Sequence, residues 1–241
     1  MIDHSGIRAR LADVRARIHA AADRAGRDPA SIRLVAVSKT FSIDYVRAAF
    51  DAGQQEFGEN KVQEALRKVD ESAGLPIRWH LIGHLQSNKA KKAGRFDTIQ
   101  SVDSADLLRS VDAAADGAGR QLDLLVQVDL AQEPTKHGAA EADLAGIFEA
   151  GLQARASRIV GLMLLPPFVE DPNLARPFFR ALRDVRQRLF DQGVEAARLA
   201  ELSMGMSHDF EVAIEEGATI IRVGTAIFGV RPPVAREDMR R

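Results

Sequence analysis

An alternation of short apolar segments with amphipathic segments, repeated eight times, constrains the fold of this chain more than any other feature. The apolar segments are rich in Val, Ile and Leu without strict alternation, which is typical of strands covered on both faces. Strands that alternate with helices predict right-handed crossovers and a parallel sheet. The eight predicted strands cover residues 32–40, 56–59, 78–83, 98–102, 122–130, 158–165, 197–202 and 219–228.

Eight such strands match the count of a (β/α)8 barrel, and the alternative is an open, doubly wound α/β sheet. The alternative usually carries a glycine-rich turn after its first strand, but the first turn here, residues 38–42, has no glycine. We therefore predict one α/β domain over residues 1–241, a single (β/α)8 TIM barrel. An extra N-terminal helix over 5–25 precedes it, because Ile7, Leu11, Val14 and Ile18 follow helical spacing.

The composition excludes several classes of function. The formal net charge of -1 gives no general attraction to nucleic acid or an anionic membrane. The absence of cysteine excludes disulfides, thiolate nucleophiles and cysteine-bound metals. No stretch approaches the roughly 18 to 20 apolar residues that span a bilayer, and the charged N-terminus is unlike a signal peptide. We expect a cytoplasmic monomer with no nucleic-acid or membrane partner.

Lysine is scarce, with seven lysines against 26 arginines. Lys39 stands at the carboxyl end of the first predicted strand, where barrels place their chemistry. A desolvated lysine can form a Schiff base with an aldehyde, which arginine cannot. The alternative for Lys39 is a solvated charge at a strand end.

Two segments near the end of the chain resemble a phosphate site. Residues 203–207 follow the seventh predicted strand and residues 222–225 belong to the eighth, where barrels often bind phosphate through backbone N–H groups. Each segment alone is also typical of a turn with a helix cap. Together with Lys39 they predict a ligand that is a phosphorylated aldehyde.

Other polar residues lie on predicted strands or at their ends. Alternation places Arg222 on the same face of the strand as Gly224. A guanidinium buried there needs an acceptor, which is a ring nitrogen or the phosphate of the ligand, or a carboxylate of the barrel such as Glu59. Asn60 ends the second strand and offers either a site contact or a helix cap. His80 and His84 lie on or just after a strand, too far apart to share one ion, so no metal is predicted.

Several of these segments closely resemble the pyridoxal phosphate homeostasis proteins, which are alanine-racemase-like proteins of the YggS/PROSC type. The similarity runs from about residue 5 to residue 232. The motifs are VAVSKT at 35–40, FGEN at 57–60, WHLIGHLQSNK at 79–89, GLM at 161–163, LSMGMS at 202–207 and RVGTAIFG at 222–229.

The resemblance implies a barrel that holds pyridoxal 5′-phosphate (PLP) as an internal aldimine of Lys39, without the C-terminal β domain of alanine racemases. It also implies the residues around the cofactor, which are Ser203, Gly224 and Thr225 at the phosphate, Arg222 at the pyridine nitrogen, and Asn60, Met204, Gly205 and Met206 at the border. His84 and Lys136 are secondary candidates. Some relatives carry a second lysine two positions after the first, and here Phe41 stands there.

The resemblance and the residues together favour a non-catalytic carrier or regulator in vitamin B6 homeostasis, with apo forms of PLP-dependent enzymes as recipients. Racemisation needs two proton-transfer groups on opposite faces of the cofactor. Lys39 supplies one, Tyr45 is the only tyrosine, and residues 230–241 are too few for a second domain. The alternatives are an amino-acid racemase with an unrecognised second base and an aldolase acting on phosphorylated sugars.

Overall fold

Eight parallel strands close into a barrel in sequence order, each hydrogen-bonded to the next and the eighth to the first. This arrangement is seen in a computed structural model that describes residues 2–130 and 137–230. It confirms the predicted (β/α)8 barrel. The strands are β1 (Arg33–Val37), β2 (Glu56–Glu59), β3 (Arg78–Leu81), β4 (Thr98–Val102), β5 (Leu122–Gln127), β6 (Ser157–Met163), β7 (Glu201–Met206) and β8 (Ile220–Val223).

Helices surround the barrel, and one of them precedes the first strand. The α-helices are α1 (His4–Arg24), α2 (Ile43–Asp51), α3 (Val62–Glu71), α4 (Ala105–Gly117), α5 (Leu144–Leu152), α6 (Arg176–Asp191), α7 (Phe210–Glu215) and α8 (Thr225–Phe228). A 3-10 segment, Ser87–Arg95, connects β3 to β4. The Asp3 carboxylate caps α1 by accepting the Gly6 N–H. Helix α1 buries Ile7, Leu11, Val14 and Ile18 along one face, which confirms the predicted extra helix.

Two apolar clusters hold the layers together. The large one lies between strands and helices, and the small one fills the inside of the barrel with Val35, Leu125, Met163 and Ile220. Inward and outward residues alternate along each strand. A polar residue of the inward set is therefore enclosed by the barrel.

The predicted bounds of the last two strands were wrong. β7 begins at Glu201 because Ala196–Leu199 forms a 3-10 turn, so Ser203 lies within the strand and not after it. β8 ends at Val223, and the apolar residues that follow form α8. A short apolar run does not distinguish a strand from a helix by periodicity. Smaller differences are that β5 and β6 end at Gln127 and Met163, three and two residues before the predicted bounds.

In the described part of the chain, no helix is both long and apolar enough to cross a membrane.

Asp112 ties α4 to the start of β6, and its replacement gives a pH-dependent prediction. Its carboxylate accepts the N–H groups of Arg155 and Ala156 and the hydroxyl of Ser157. Burial alone raises the pKa of Asp112, but these hydrogen bonds outweigh burial and lower it.

We expect Asp112→Asn to lower the free energy of unfolding by about 1 kcal/mol at pH 7, since the site is partly exposed. The carboxylate stabilises the fold above its unfolded pKa, and the effect disappears as the pH falls through the lower folded value. Urea unfolding of both proteins at pH 7 and pH 3.5 measures it, and an undiminished difference in acid would contradict it.

Candidate functional site

Three loops meet at the carboxyl end of the barrel where the sheet closes. Lys39 follows β1, Ser207 follows β7 and Gly224 follows β8. β8 is bonded to both neighbours, with Ala36 opposite Val223 and Met206 opposite Arg222. A Cβ on Gly224 would lie 3.2 Å from the Val37 carbonyl oxygen. The β8 loop therefore packs against β1 two residues before Lys39.

The Ser207 hydroxyl marks a place where backbone donors converge on an oxygen. Its Oγ accepts the N–H of Gly224 at 3.1 Å and the N–H of Ala226 at 3.4 Å. Ser207 and Gly224 are half-buried and Thr225 is exposed. Uncharged N–H donors at the start of a helix, beside two hydroxyl groups, suit the oxygens of a phosphate group.

Ser203 and Met204 lie within β7 and are buried. Ser203 is fully buried inside the barrel, where its Oγ donates to Gln100 Oε1 at 2.6 Å and accepts from Arg222. Met204 is fully buried in the cluster between strands and helices. Both side chains lie within β7, and their contact with the cofactor stays a prediction. Ser207, four residues after Ser203, follows the strand and lies among the loops at the mouth.

Gly205 and Met206 lie at the end of β7, between these buried residues and Ser207. Gly205 has a φ of +93°, and a Cβ there would lie 2.6 Å from that of Ala213. Glycine alone permits this conformation and this contact with α7. Met206 is half-buried and its N–H donates to Asp209.

Arg222 lies on the inner face of β8, where its side chain is buried. Its guanidinium donates to Ser203 Oγ at 2.5 Å and to the Leu164 carbonyl oxygen at 2.8 Å. Burial lowers the pKa of Arg222 to about 10, opposed by the charge of Asp209, so the group stays protonated at neutral pH. Glu59, the alternative partner, pairs with Lys68 instead, which excludes an ion pair with Arg222.

A chain of hydrogen bonds crosses the barrel from Arg222 and fixes the protonation of His80. Gln100 uses its oxygen to accept from Ser203, so its amide nitrogen donates to His80 Nδ1 at 3.0 Å. His80 then carries its proton on Nε2 and donates to Glu56 at 3.0 Å. Burial lowers the pKa of His80, which favours the neutral ring. Both ring nitrogens are used, so His80 is not available as a metal ligand.

Asn60 follows β2 and is held against the loop after β3. A Cβ on Gly83 would lie 2.2 Å from the Asn60 carbonyl oxygen, so only glycine allows this approach. Asn60 is half-buried and lies at the same end of the barrel as Lys39. The structure thus places Asn60 at the mouth.

His84 lies in the loop after β3 and is stacked on His137, with ring centroids 3.6 Å apart and planes 13° apart. Its Nδ1 is 3.5 Å from Asp103 Oδ2, and one ligand atom of each of the three residues lies within 4.8 Å of the others. An ion bound by an imidazole lies in the ring plane, and two nearly parallel stacked rings share no such point. Without ring rotation, these described side chains do not hold an ion.

Phe41 and Lys136 are the two remaining residues named from the sequence. Phe41 is buried, with ring centroids 4.9 Å from Tyr45 and 5.2 Å from Phe228, so an apolar contact takes the place of the second lysine. Lys136 lies outside the described residues.

Sequence comparisons with known proteins match this chain, over most of its length, to one family and to two similar relatives. The family described as "Alanine racemase, N-terminal domain" matches residues 9–232. A pyridoxal phosphate homeostasis protein of Aquifex aeolicus is 42% identical over 92% of this chain and 97% of its own length. One from Pseudomonas aeruginosa is also 42% identical, over 94% and 96%.

The chain belongs to the pyridoxal phosphate homeostasis protein family. The predicted family resemblance is thereby confirmed. A solved structure of a further relative, PipY of Synechococcus elongatus without PLP, superposes with a TM-score of 0.83 at 42% identity, over 92% of this chain and 100% of that one. PipY has also been solved with PLP bound, and that structure superposes with a TM-score of 0.82 at 41% identity over the same shares of each chain.

Proposed function

We propose that this protein binds PLP reversibly through a Schiff base with Lys39, and that it acts in vitamin B6 homeostasis as a carrier or regulator. One observation carries the proposal. The barrel closes by pairing β8 with β1, and this pairing brings the loop that contains Lys39 beside the backbone donors around Ser207. Relatives at 42% identity bear the homeostasis name, and PipY was solved with PLP bound. Both support the proposal.

The residues present fit the chemistry of this cofactor. PLP supplies an aldehyde for an amine, a phosphate and a pyridine ring. Lys39 has the amine. Ser207, Gly224 and Thr225 would bind the phosphate, and the cationic Arg222, on the inner face of β8, would face the ring nitrogen. A protonated arginine there would disfavour protonation of that nitrogen and weaken the ring as an electron sink.

The Ser207 hydroxyl gives the first test of the phosphate assignment. We expect Ser207→Ala to weaken PLP binding at least about tenfold, because one hydrogen bond to a charged group is lost. Pyridoxal, which lacks the phosphate, should bind equally to the wild type and the variant. Equilibrium dialysis with both ligands measures this. Ser203→Ala is the comparison variant. If Ser203→Ala lost more affinity for PLP than Ser207→Ala, and neither lost affinity for pyridoxal, the phosphate contact would belong to Ser203 and not to Ser207.

An amino-acid racemase is the second candidate, because the matching family takes its name from alanine racemase. The alanine racemase of Corynebacterium glutamicum shares the fold at 18% identity with a TM-score of 0.71, and this chain covers 64% of it. A racemase needs a second proton-transfer group. Tyr45 lies on α2 and packs against Phe41, an apolar contact that disfavours the role of a base. We therefore prefer the carrier.

Solvent deuterium separates the two candidates. A carrier incubated with PLP and L-amino acids in D2O leaves the Cα hydrogen in place, whereas a racemase exchanges it and forms the D-isomer. NMR and chiral chromatography measure both outcomes. If the wild type catalysed this exchange and Lys39→Ala abolished it, the racemase would replace the carrier as the proposed function.

We also propose that apo forms of PLP-dependent enzymes receive the cofactor in the cytoplasm and that the carrier is a monomer. Direct transfer predicts that a recipient regains activity faster than PLP is released into buffer containing a PLP trap. A rate equal to that of free release would exclude direct transfer. Sedimentation equilibrium tests the monomer, and a dimer mass would exclude it.

A further inference from the structure

We propose that Glu59, Glu64 and Lys68, here called the Lys68 clamp, position the backbone turn that presents the Lys39 amine to the cofactor. The inference rests on the proposed function of Lys39. These three residues contact the residues on either side of Lys39 and act as positioning residues for the cofactor lysine.

Lys68 is the centre of the clamp. It lies on α3 with a fully buried side chain. Its Nζ donates to the Ser38 carbonyl oxygen at 2.8 Å, to Glu59 Oε1 at 2.6 Å and to Glu64 Oε1 at 2.9 Å. All three donors of the ammonium group are used. Lys68 thus joins the end of β1, the end of β2 and α3 at one point.

The clamp holds the turn on both sides of Lys39. Before Lys39, the Ser38 hydroxyl donates to Glu59 Oε1 at 2.6 Å and the Ser38 carbonyl accepts from Lys68. After Lys39, the Thr40 N–H donates to Glu64 Oε1 at 2.6 Å. Ser38 is fully buried, whereas Lys39 is half-buried and Thr40 is exposed. The peptide groups on either side of Lys39 are therefore fixed by charged partners.

The backbone at Thr40 shows that the turn needs such partners. Thr40 has a φ of +71° and is the one non-glycine residue of the described chain with positive φ. A β-branched residue is strongly disfavoured in this conformation, which persists only where the surroundings hold it. The Phe41 N–H closes the turn by donating to the Ser38 carbonyl oxygen at 3.1 Å, and Thr40 itself is held by the bond from its N–H to Glu64. Without that bond, we expect Thr40 to relax toward negative φ and redirect the Lys39 side chain.

Glu64 is the best position for the test, because its side chain is 18% exposed and its replacement leaves the buried pair of Lys68 and Glu59 in place. Glu64→Ala removes the acceptor of the Thr40 N–H and preserves helix propensity on α3. Glu64→Gln keeps an oxygen that can accept the same N–H. We expect Glu64→Ala to weaken PLP binding about tenfold, the value of one hydrogen bond to a charged acceptor, and Glu64→Gln to restore most of it. Spectroscopic titration of the apoprotein gives the affinity, and the rate of adduct formation after mixing should fall in parallel.

Glu216→Gln is the matched control for a purely structural effect. Glu216 is a buried carboxylate whose ion-pair partners, Arg176, Arg180 and Arg183, all lie on α6. Its replacement should lower the midpoint of thermal unfolding without changing the affinity for PLP. Wild-type affinity in a folded Glu64→Ala would overturn the clamp, and so would an equal loss of affinity in Glu216→Gln or a failure of Glu64→Gln to restore binding. Failure of the proposed function is seen separately, because the wild type would then give no borohydride-stable adduct at Lys39.

Discussion

Lys39→Ala is expected to abolish the visible absorbance that PLP gives with the wild-type protein. The variant lacks the amine that condenses with the aldehyde, whereas the donors around Ser207 remain. Binding should therefore persist through the phosphate alone, weakened on the order of a hundredfold, or about 2.7 kcal/mol. Titration with PLP, followed by absorbance for the adduct and by dialysis for total binding, separates the two contributions.

Lys39→Arg is the matched control for this change. Arginine retains the positive charge at the strand end but does not form a Schiff base. If Lys39 acted only as a cation near the phosphate, Lys39→Arg would bind like the wild type. We expect it to lose the absorbance as fully as Lys39→Ala. Retention of the absorbance in either variant would mean that another lysine forms the adduct.

Lys68→Met is expected to give the largest loss of stability. Glu59 is fully buried, and its Oε2 has no hydrogen-bond partner within the described structure. Burial raises the pKa of Glu59, and Lys68 opposes that rise. Removing Lys68 leaves an unpaired buried carboxylate, which costs about 3–5 kcal/mol in the free energy of unfolding. Urea unfolding of the apoprotein at pH 7 measures the loss.

The pH dependence and a double variant identify the cause of that loss. Without Lys68 the folded pKa of Glu59 rises further above its unfolded value, so the folded state binds a proton as the pH falls. The variant should therefore lose less stability at pH 5 than at pH 7, provided that the wild type is compared at each pH. Adding Glu59→Gln removes the buried charge and should restore part of the loss. A loss at pH 7 below about 1 kcal/mol would contradict the role of the buried pair.

The alternation of strands and helices was sufficient to predict the barrel. Its physical basis is that a parallel sheet needs crossovers on its faces. The same reasoning placed Arg222 on the eighth strand, whereas Lys39, predicted within the first strand, lies two residues after the end of β1. The seventh strand was predicted four residues too early, so Ser203 lies within β7 and Ser207 is the serine that follows it. Strand ends depend on the hydrogen bonds of the neighbouring strands, which a single apolar run does not encode.

The partners of buried charges could not be predicted either. Glu59 was one predicted partner of Arg222. In the structure Arg222 donates to the Ser203 hydroxyl and the Leu164 carbonyl oxygen, and Glu59 forms an ion pair with Lys68. Lys68 has a signal in the sequence, since it continues the buried stripe of Val62 and Ala65 on α3. A lysine in such a stripe is usually solvated at its tip. Only the structure shows that the Lys68 amine is enclosed by three acceptors.

Borohydride reduction of the PLP-loaded protein, followed by peptide mapping, is the most direct test of the central claim. Reduction converts a Schiff base into a stable secondary amine at the lysine that formed it. We predict a single phosphopyridoxyl label on Lys39, absent from Lys39→Ala, in protein that otherwise releases its PLP intact. Label on a different lysine, or tight binding of PLP with no label, would contradict a carrier that holds the cofactor through Lys39.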